Sequence, residues 1–129
     1  MTPQDHTRVA TNLLEAERTG EQIGLLTKAY PEMEMDDAYA IQNAIYRAKL
    51  ELGRSVVGWK IGLTSKAMQY ALNIGIPDSG ILFDDMVFET GTTVPKGRFI
   101  QPRIEAEIAF VLKSPLGGVD VTRDDVLAA

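Results

Sequence analysis

The stretch Pro102-Arg103-Ile104-Glu105-Ala106-Glu107-Ile108-Ala109-Phe110-Val111-Leu112 decides the fold that the sequence predicts. From Ile104 to Leu112 every even position is apolar, whereas Arg103, Glu105 and Glu107 occupy odd positions. Such alternation is typical of a β-strand with one buried face, and it gives no stripe of the kind expected on a helix. In a strand the two glutamates lie on one face, about 6.5–7 Å apart along the backbone.

The two neighbouring carboxylates of Glu105 and Glu107 allow two interpretations. Like charges on one strand face repel each other, so either water solvates them on an exposed sheet or a hard cation coordinates them. A Glu-x-Glu sequence alone favours the solvated face. The rest of the chain has to decide between the two.

Composition excludes several classes of protein. The chain has 129 residues, enough for one modest domain, and its net charge of −5 argues against a nucleic-acid partner because no basic patch is present. It has no cysteine, which excludes disulfides, thiolate nucleophiles and zinc–thiolate sites. No signal peptide or membrane span is readable at the amino terminus, so we expect a cytoplasmic protein.

The first 53 residues read as helices. Thr2 and Pro3 predict the start of a first helix that ends at Gly20, and a short helical turn is expected around residues 23–28. The next helix is predicted to begin at Asp36 or Asp37 and to end at Gly53. Its apolar stripe is formed by Ala38, Ile41, Ile45, Ala48 and Leu52.

A strand is predicted from Ser55 onward, with one apolar face formed by Val57, Trp59, Ile61 and Leu63. The other face carries Lys60 between Gly58 and Gly62, which leaves open space around a single ammonium group. That space suits an anionic ligand. Alternatively, Lys60 is an edge-strand lysine that discourages aggregation, and the glycines only permit twist.

The remaining segments predict short elements. A short helix follows Ser65, residues 77–80 read as a turn, and residues 81–83 and 86–88 read as two short strands. Thr122 and Asp125 predict a helix start close to Ala129. So short a helix is unstable alone, and we therefore expect the sequence to be cut off. We divide it into a helical segment, 1–53, and the first part of a β-domain, 54–129, within one incomplete domain.

Three motifs occur together: Gly58-Trp59-Lys60-Ile61-Gly62-Leu63-Thr64-Ser65-Lys66, then Pro77-Asp78-Ser79-Gly80, then Pro102-Arg103-Ile104-Glu105-Ala106-Glu107. In this order they resemble the hydratase/decarboxylase branch of the fumarylacetoacetate hydrolase superfamily, over essentially the whole chain. The resemblance implies an α+β fold in which amino-terminal helices precede a mixed β-roll, here apparently truncated. It also implies a homo-oligomer.

The resemblance further implies a site. Members of the branch hold one Mg²⁺ or Mn²⁺ through three carboxylates, of which Glu105 and Glu107 match two and the third lies beyond residue 129. Lys60 matches a substrate-facing lysine, and Asp78 matches an acidic residue of the same pocket, although a turn-forming role for Asp78 stays open. Arg103 either anchors a substrate carboxylate or, as we favour, forms an ion pair with one of the glutamates. His6 is assigned no chemistry.

The implied activity is metal-dependent addition of water to an unsaturated 2-oxo acid in the breakdown of aromatic compounds. A seven-carbon diacid substrate is favoured over the five-carbon monoacid 2-oxopent-4-enoate, and decarboxylation of 4-oxalocrotonate is a further alternative. A diacid would need a second cation in the pocket, whereas a monoacid would not. From a different class, the chain could be an inactive fragment or an interaction domain.

Overall fold

The computed structural model describes residues 1–129 and shows the α+β class that the sequence predicts. Its elements are α1 (Pro3–Thr19), α2 (Leu26–Ala29), α3 (Met35–Glu51), β1 (Val56–Gly62), α4 (Lys66–Leu72), β2 (Asp78–Phe83) and α5 (Arg123–Ala128), with a 3₁₀ turn at Asp84–Met86. None of the helices is both long enough and apolar enough to cross a membrane. The proposed division at residue 53 coincides with the change from helix to strand and stays a prediction.

Helix α1 begins and ends where the sequence predicts. The Asp5 backbone N–H donates to Thr2 Oγ1 over 3.1 Å, and the Thr2 N–H donates to Asp5 Oδ2 over 3.0 Å. This reciprocal capping satisfies two backbone groups at the amino end of the helix. Gly20 ends the helix with φ of 75°, a left-handed conformation that glycine adopts without steric cost.

The hydrophobic core lies between α1 and α3. Val9 and Ala10 of α1 are buried against Ile41 of α3, each no more than 3% exposed. Partly buried side chains surround them, namely Met1, Leu13, Leu26, Tyr30, Met33, Ala44 and Ile45. The apolar stripe predicted for α3 faces this core at Ile41 and Ile45, whereas its last predicted member, Leu52, follows the helix and is 75% exposed.

The start of α3 is tied to α1 through Asp37. Its Oδ2 accepts from the Glu34 N–H over 3.0 Å, while its Oδ1 lies 2.7 Å from His6 Nε2 and 3.1 Å from the amino-terminal nitrogen. The Glu34 hydrogen bond, followed by those from His6 and the amino terminus, lowers the pKa of Asp37 from its ordinary 3.8 to about 2. His6 therefore has a structural contact.

Stability should depend on the charge of Asp37. Because its pKa is lower in the folded state, its contribution is complete above pH 3.8 and is lost as the pH falls towards 2. Asp37→Asn should lower stability at pH 7 and flatten this acid-side loss, as urea unfolding at several pH values would measure. The control is Asp36→Asn, in the same helical turn but without an ion pair. Equal acid sensitivity of wild type and Asp37→Asn would contradict this account.

Strands β1 and β2 form a two-stranded antiparallel sheet, in which Lys60 is opposite Gly80 and Gly62 is opposite Asp78. Helix α3 contacts β2 at Ser79. The Ser79 N–H donates to the Tyr39 hydroxyl over 3.2 Å, and the Gln42 amide donates to the Ser79 carbonyl over 3.3 Å. These bonds satisfy backbone groups that an exposed edge strand would offer to another chain.

A buried lysine joins α3 to both α1 and the sheet. Lys49 Nζ lies 2.7 Å from Glu17 Oε1 of α1 and 5.3 Å from the centre of the Phe83 ring of β2. Its side chain is only 6% exposed, so the ion pair and the aromatic face together offset the cost of burying its charge. These contacts fix the sheet relative to the helices.

The predictions for two short segments are wrong. Residues 78–80, expected in a turn, belong to β2 because they pair with β1, and this cross-strand pairing overrides the turn composition. Of residues 86–88, expected as a strand, Met86 ends the 3₁₀ turn and the other two follow it, and none of them pairs with a strand. In contrast, α5 begins after Thr122 with the predicted capping by Asp125.

The strand predicted over residues 102–112 is also wrong. None of these residues makes a backbone–backbone hydrogen bond, and the segment belongs to no sheet. Its apolar side chains do not reach a core: Ile104 is 101% exposed and Ile108 is 84% exposed. Because a β-strand needs a hydrogen-bonded neighbour, alternation alone does not produce one here.

Candidate functional site

The centre of the candidate site is the ammonium group of Lys60, which contacts both carboxylates of the Glu-x-Glu motif. Lys60 Nζ lies 2.9 Å from Glu105 Oε2 and 2.7 Å from Glu107 Oε1. The two glutamates therefore point to the same side, although their backbone is not in a sheet. The lysine side chain is 46% exposed and the glutamates about 60%, so the cluster is open to solvent.

Glycines surround the base of Lys60 on its face of the sheet. Gly58 and Gly62 flank it along β1, and Gly80 is opposite it on β2. The flanking glycines follow from the sequence, whereas Gly80 requires the register of the two strands. The open space around the ammonium group is thus bounded by backbone on three sides.

Asp78 lies on the same face as Lys60. It is opposite Gly62, and its carboxylate extends over that glycine: a Cβ at Gly62 would overlap Asp78 Oδ1 and lie 3.2 Å from its Cγ. Directly opposed residues of an antiparallel pair project to the same side, which places this carboxylate two residues from Lys60 along the sheet. Gly62 is therefore needed for the position of Asp78.

Arg103 does not form the ion pair that we favoured from the sequence. No carboxylate lies within ion-pair distance of it, and its side chain is exposed. The glutamates pair with Lys60 instead, because the approach of the segment to β1 brings an ammonium group between them. The charge of Arg103 is the smallest of the causes that lower the pKa of Glu105.

The electrostatics of the cluster follow from the Lys60 contacts. Hydrogen bonds to Glu107 and then to Glu105 raise the pKa of Lys60 above its ordinary range, so the lysine stays charged. The hydrogen bond from Lys60, aided by its charge, lowers the pKa of Glu105. At neutral pH the site thus holds a cationic group between two anionic ones.

The donor set suits a hard divalent cation. Glu105 and Glu107 already bind one cationic group between them, and Mg²⁺ is commonly held by one or two carboxylates while it keeps several waters. No third histidine, cysteine, aspartate or glutamate completes a metal-binding group. Two carboxylates could supply part of the coordination of such a cation and would leave positions for other ligands.

A separate cavity does not contain these residues. It has a volume of about 470 Å³ and lies between α1, α2 and the connecting loop. Its walls include Val9, Ala16, Ile23 and Tyr30, with Glu15 and Glu21 at its polar side. No group of three or more potential metal ligands is found there.

Comparison with known proteins identifies the class. The chain is 50% identical over 124 residues to 2-oxo-hept-4-ene-1,7-dioate hydratase of Escherichia coli, a match that covers 96% of this chain and 46% of the relative. It is 45% identical over 129 residues to 2-keto-4-pentenoate hydratase of Paraburkholderia xenovorans, covering 100% of this chain and 48% of the relative. No family model matches the chain.

Solved structures agree with the sequence matches. The 4-oxalocrotonate decarboxylase of Pseudomonas putida G7, complexed with magnesium and adipate, matches with a TM-score of 0.64 and 35% identity. The match covers 66% of this chain and 32% of that chain. The same enzyme complexed with calcium and acetate matches equally well, over 66% of this chain and 33% of that one.

The chain is therefore a homologue of the hydratases and decarboxylases of unsaturated 2-oxo acids, which confirms the resemblance drawn from its three motifs. Of the two hydratases named above, 2-oxo-hept-4-ene-1,7-dioate hydratase has the higher identity to the chain. The chain spans about half the length of the curated relatives that it matches.

Proposed function

We propose that these residues belong to a metal-dependent hydro-lyase that adds water to an unsaturated 2-oxo acid in the breakdown of aromatic compounds. The favoured substrate is 2-oxohept-4-ene-1,7-dioate. The observation that carries the proposal is the grouping of one ammonium and three carboxylates, those of Glu105, Glu107 and Asp78, about the same face of the β1–β2 sheet. The homologous hydratases support the reaction type.

Glu105 and Glu107 are the proposed metal ligands. The decarboxylase structures with magnesium and with calcium support a divalent cation, and we infer Mg²⁺, or Mn²⁺ in its place. When bound, such an ion supplies Lewis acidity that stabilises negative charge on the 2-oxo oxygen. Two carboxylates leave coordination positions for the oxygens of a substrate.

The proposed mechanism gives each remaining residue one role. Lys60 binds the 1-carboxylate or the 2-oxo oxygen and stabilises the negative charge that develops as water adds to the remote alkene carbon. Asp78 moves a proton between substrate carbon and solvent, because its carboxylate lies on the Lys60 face and is exposed. Arg103 binds a substrate carboxylate, a role compatible with its free guanidinium group.

Two other reactions and one non-enzymatic role remain as alternatives. Decarboxylation of 4-oxalocrotonate is supported by the solved decarboxylase structures and by 41% identity over 121 residues to the Pseudomonas putida enzyme. Hydration of 2-oxopent-4-enoate is supported by the pentenoate hydratase. An inactive fragment or an interaction domain would show neither reaction.

A cytoplasmic location stays a prediction.

The test is an assay of the protein expressed from its own gene. Hydration removes the conjugated 2-oxo acid, and the loss of its absorbance should require Mg²⁺ and stop in the presence of a chelator. Release of CO₂ from 4-oxalocrotonate would identify a decarboxylase instead. Undiminished activity in chelator would contradict the metal role, and no turnover of any of the three substrates would favour an inactive fragment or an interaction domain.

The role of Asp78 can be tested through Gly62. Gly62→Ala should displace the Asp78 carboxylate, since the new Cβ overlaps it, and should lower kcat by about 100-fold or more, the usual contribution of a positioned proton-transfer group. The control is Gly24→Ala, whose Cβ would meet no atom within 4 Å and which lies at the separate cavity, away from Lys60. Thermal unfolding should change little in either variant. Equal kcat values for the two would contradict the proton-transfer role.

We also infer self-association, in agreement with the homo-oligomer expected from the sequence. Trp59 is 60% exposed and Phe110 is 80% exposed, so large apolar side chains of β1 and of the 102–112 segment meet water. Sedimentation velocity of the 129-residue chain should show species larger than a monomer. Phe110→Ser combined with Ile108→Ser should shift the distribution towards monomer, and a strictly monomeric wild type would contradict the inference.

A further inference from the structure

We infer that Lys60 couples cation binding to anion binding by exchanging partners at Glu105 and Glu107. This inference rests on the proposed function, because it assumes that the same two carboxylates receive the metal. Lys60 Nζ contacts one oxygen of each glutamate, at 2.9 and 2.7 Å. An ammonium and a divalent cation therefore compete for the same carboxylates.

Binding of a cation to the glutamates would free Lys60 for an anion. A cation that binds Glu105 and Glu107 must displace the ammonium group of Lys60, so part of its binding energy is spent in breaking two ion pairs. The displaced ammonium then lies in the space bounded by Gly58, Gly62 and Gly80, without its former partners. An incoming carboxylate would supply a new partner there.

The exchange can also begin with the binding of an anion to Lys60. An anion that pairs with Lys60 draws it away from the glutamates and leaves two uncompensated carboxylates, which bind a cation more tightly. By linkage, the factor by which the anion improves cation affinity equals the factor by which the cation improves anion affinity. The lysine thus favours simultaneous occupation by metal and anionic substrate over occupation by either alone.

The segment that carries the glutamates can accommodate the exchange. Residues 102–112 make no backbone–backbone hydrogen bond, and the Lys60 ion pairs are the only side-chain hydrogen bonds or ion pairs between this stretch and the rest of the chain. Moving the glutamates by the short distance that a metal requires therefore breaks no sheet ladder. The exchange involves side chains and one weakly attached segment.

The experiment measures Mg²⁺ binding by calorimetry to the whole chain, with and without adipate as a dicarboxylate probe. Lys60→Met should bind Mg²⁺ about three- to tenfold more tightly than wild type without adipate, as expected for the loss of two competing exposed ion pairs. Adipate should tighten Mg²⁺ binding in wild type and have a smaller effect in Lys60→Met. Lys113→Met, which removes a lysine that makes no ion pair, should behave as wild type.

A second measurement observes the exchange directly. In wild type, the side-chain ammonium NMR signal of Lys60 should shift over the same Mg²⁺ concentrations as the calorimetric isotherm. Equal Mg²⁺ affinity in wild type and Lys60→Met, or an ammonium signal that ignores Mg²⁺, would overturn the coupling. A different result would contradict the proposed metal site itself: Glu105→Gln and Glu107→Gln would then leave Mg²⁺ binding unchanged.

Discussion

Replacing Ile41 with alanine is expected to destabilise the protein by about 2–5 kcal/mol, the usual cost of removing a buried branched side chain. Ile41 is 3% exposed and packs against Val9 and Ala10, so the lost methyl groups leave a cavity in the only cluster of buried apolar residues. Few other residues are buried, and little other core compensates. Urea unfolding followed by helical circular dichroism would measure the change.

A matched control uses the same substitution where the side chain meets water. Ile104 is 101% exposed, and Ile104→Ala should change stability by less than about 0.5 kcal/mol. The comparison separates the loss of packing from the change in composition. Similar midpoints for the two variants would show that the α1–α3 contact is not the core of the folded state.

The helices could be predicted because their signals are local. Thr2 and Asp5, and again Thr122 and Asp125, are three residues apart and satisfy each other's backbone groups whatever the rest of the chain does. Gly20 ends α1 through its own conformation. Such features require no knowledge of distant residues, and the structure agrees with them.

The strands could be predicted only where a partner is present. Residues 56–62 and 81–83 were expected as strands, and they pair with each other. The pairing extends to residues 78–80, although their composition favours a turn. Residues 102–112 have the clearest alternation of the chain, yet they have no hydrogen-bonded neighbour. Alternation describes which faces a strand would have, whereas the ladder depends on another segment.

The sequence predicted the residues of the candidate site but not the contacts between them. The three motifs identified Lys60, Asp78, Glu105 and Glu107, but the contact of Lys60 with Glu107 joins residues 47 positions apart. No local pattern encodes that distance. The sequence predicted Arg103 as the partner of the glutamates because it shares their face of the predicted strand, but that strand does not form and the ion pair is absent.

Neutralising either proposed ligand should have the largest effect on activity. Glu105→Gln and Glu107→Gln keep the side-chain shape but remove the charge that holds a divalent cation. Loss of a residue that only supports a ligand costs about 10- to 100-fold, so loss of a ligand should lower turnover by about 100-fold or more. The measurement is disappearance of the conjugated 2-oxo acid by the protein expressed from its own gene, at saturating Mg²⁺.

The control for charge is Glu89→Gln, an exposed glutamate without an ion pair, which should keep full activity. Mg²⁺ affinity, measured beside turnover, separates two explanations. If the glutamates are ligands, affinity and turnover fall together, and excess Mg²⁺ partly restores activity. If they only hold Lys60 in place, Mg²⁺ affinity stays unchanged while the KM for substrate changes, and the metal assignment of Glu105 and Glu107 would then be wrong.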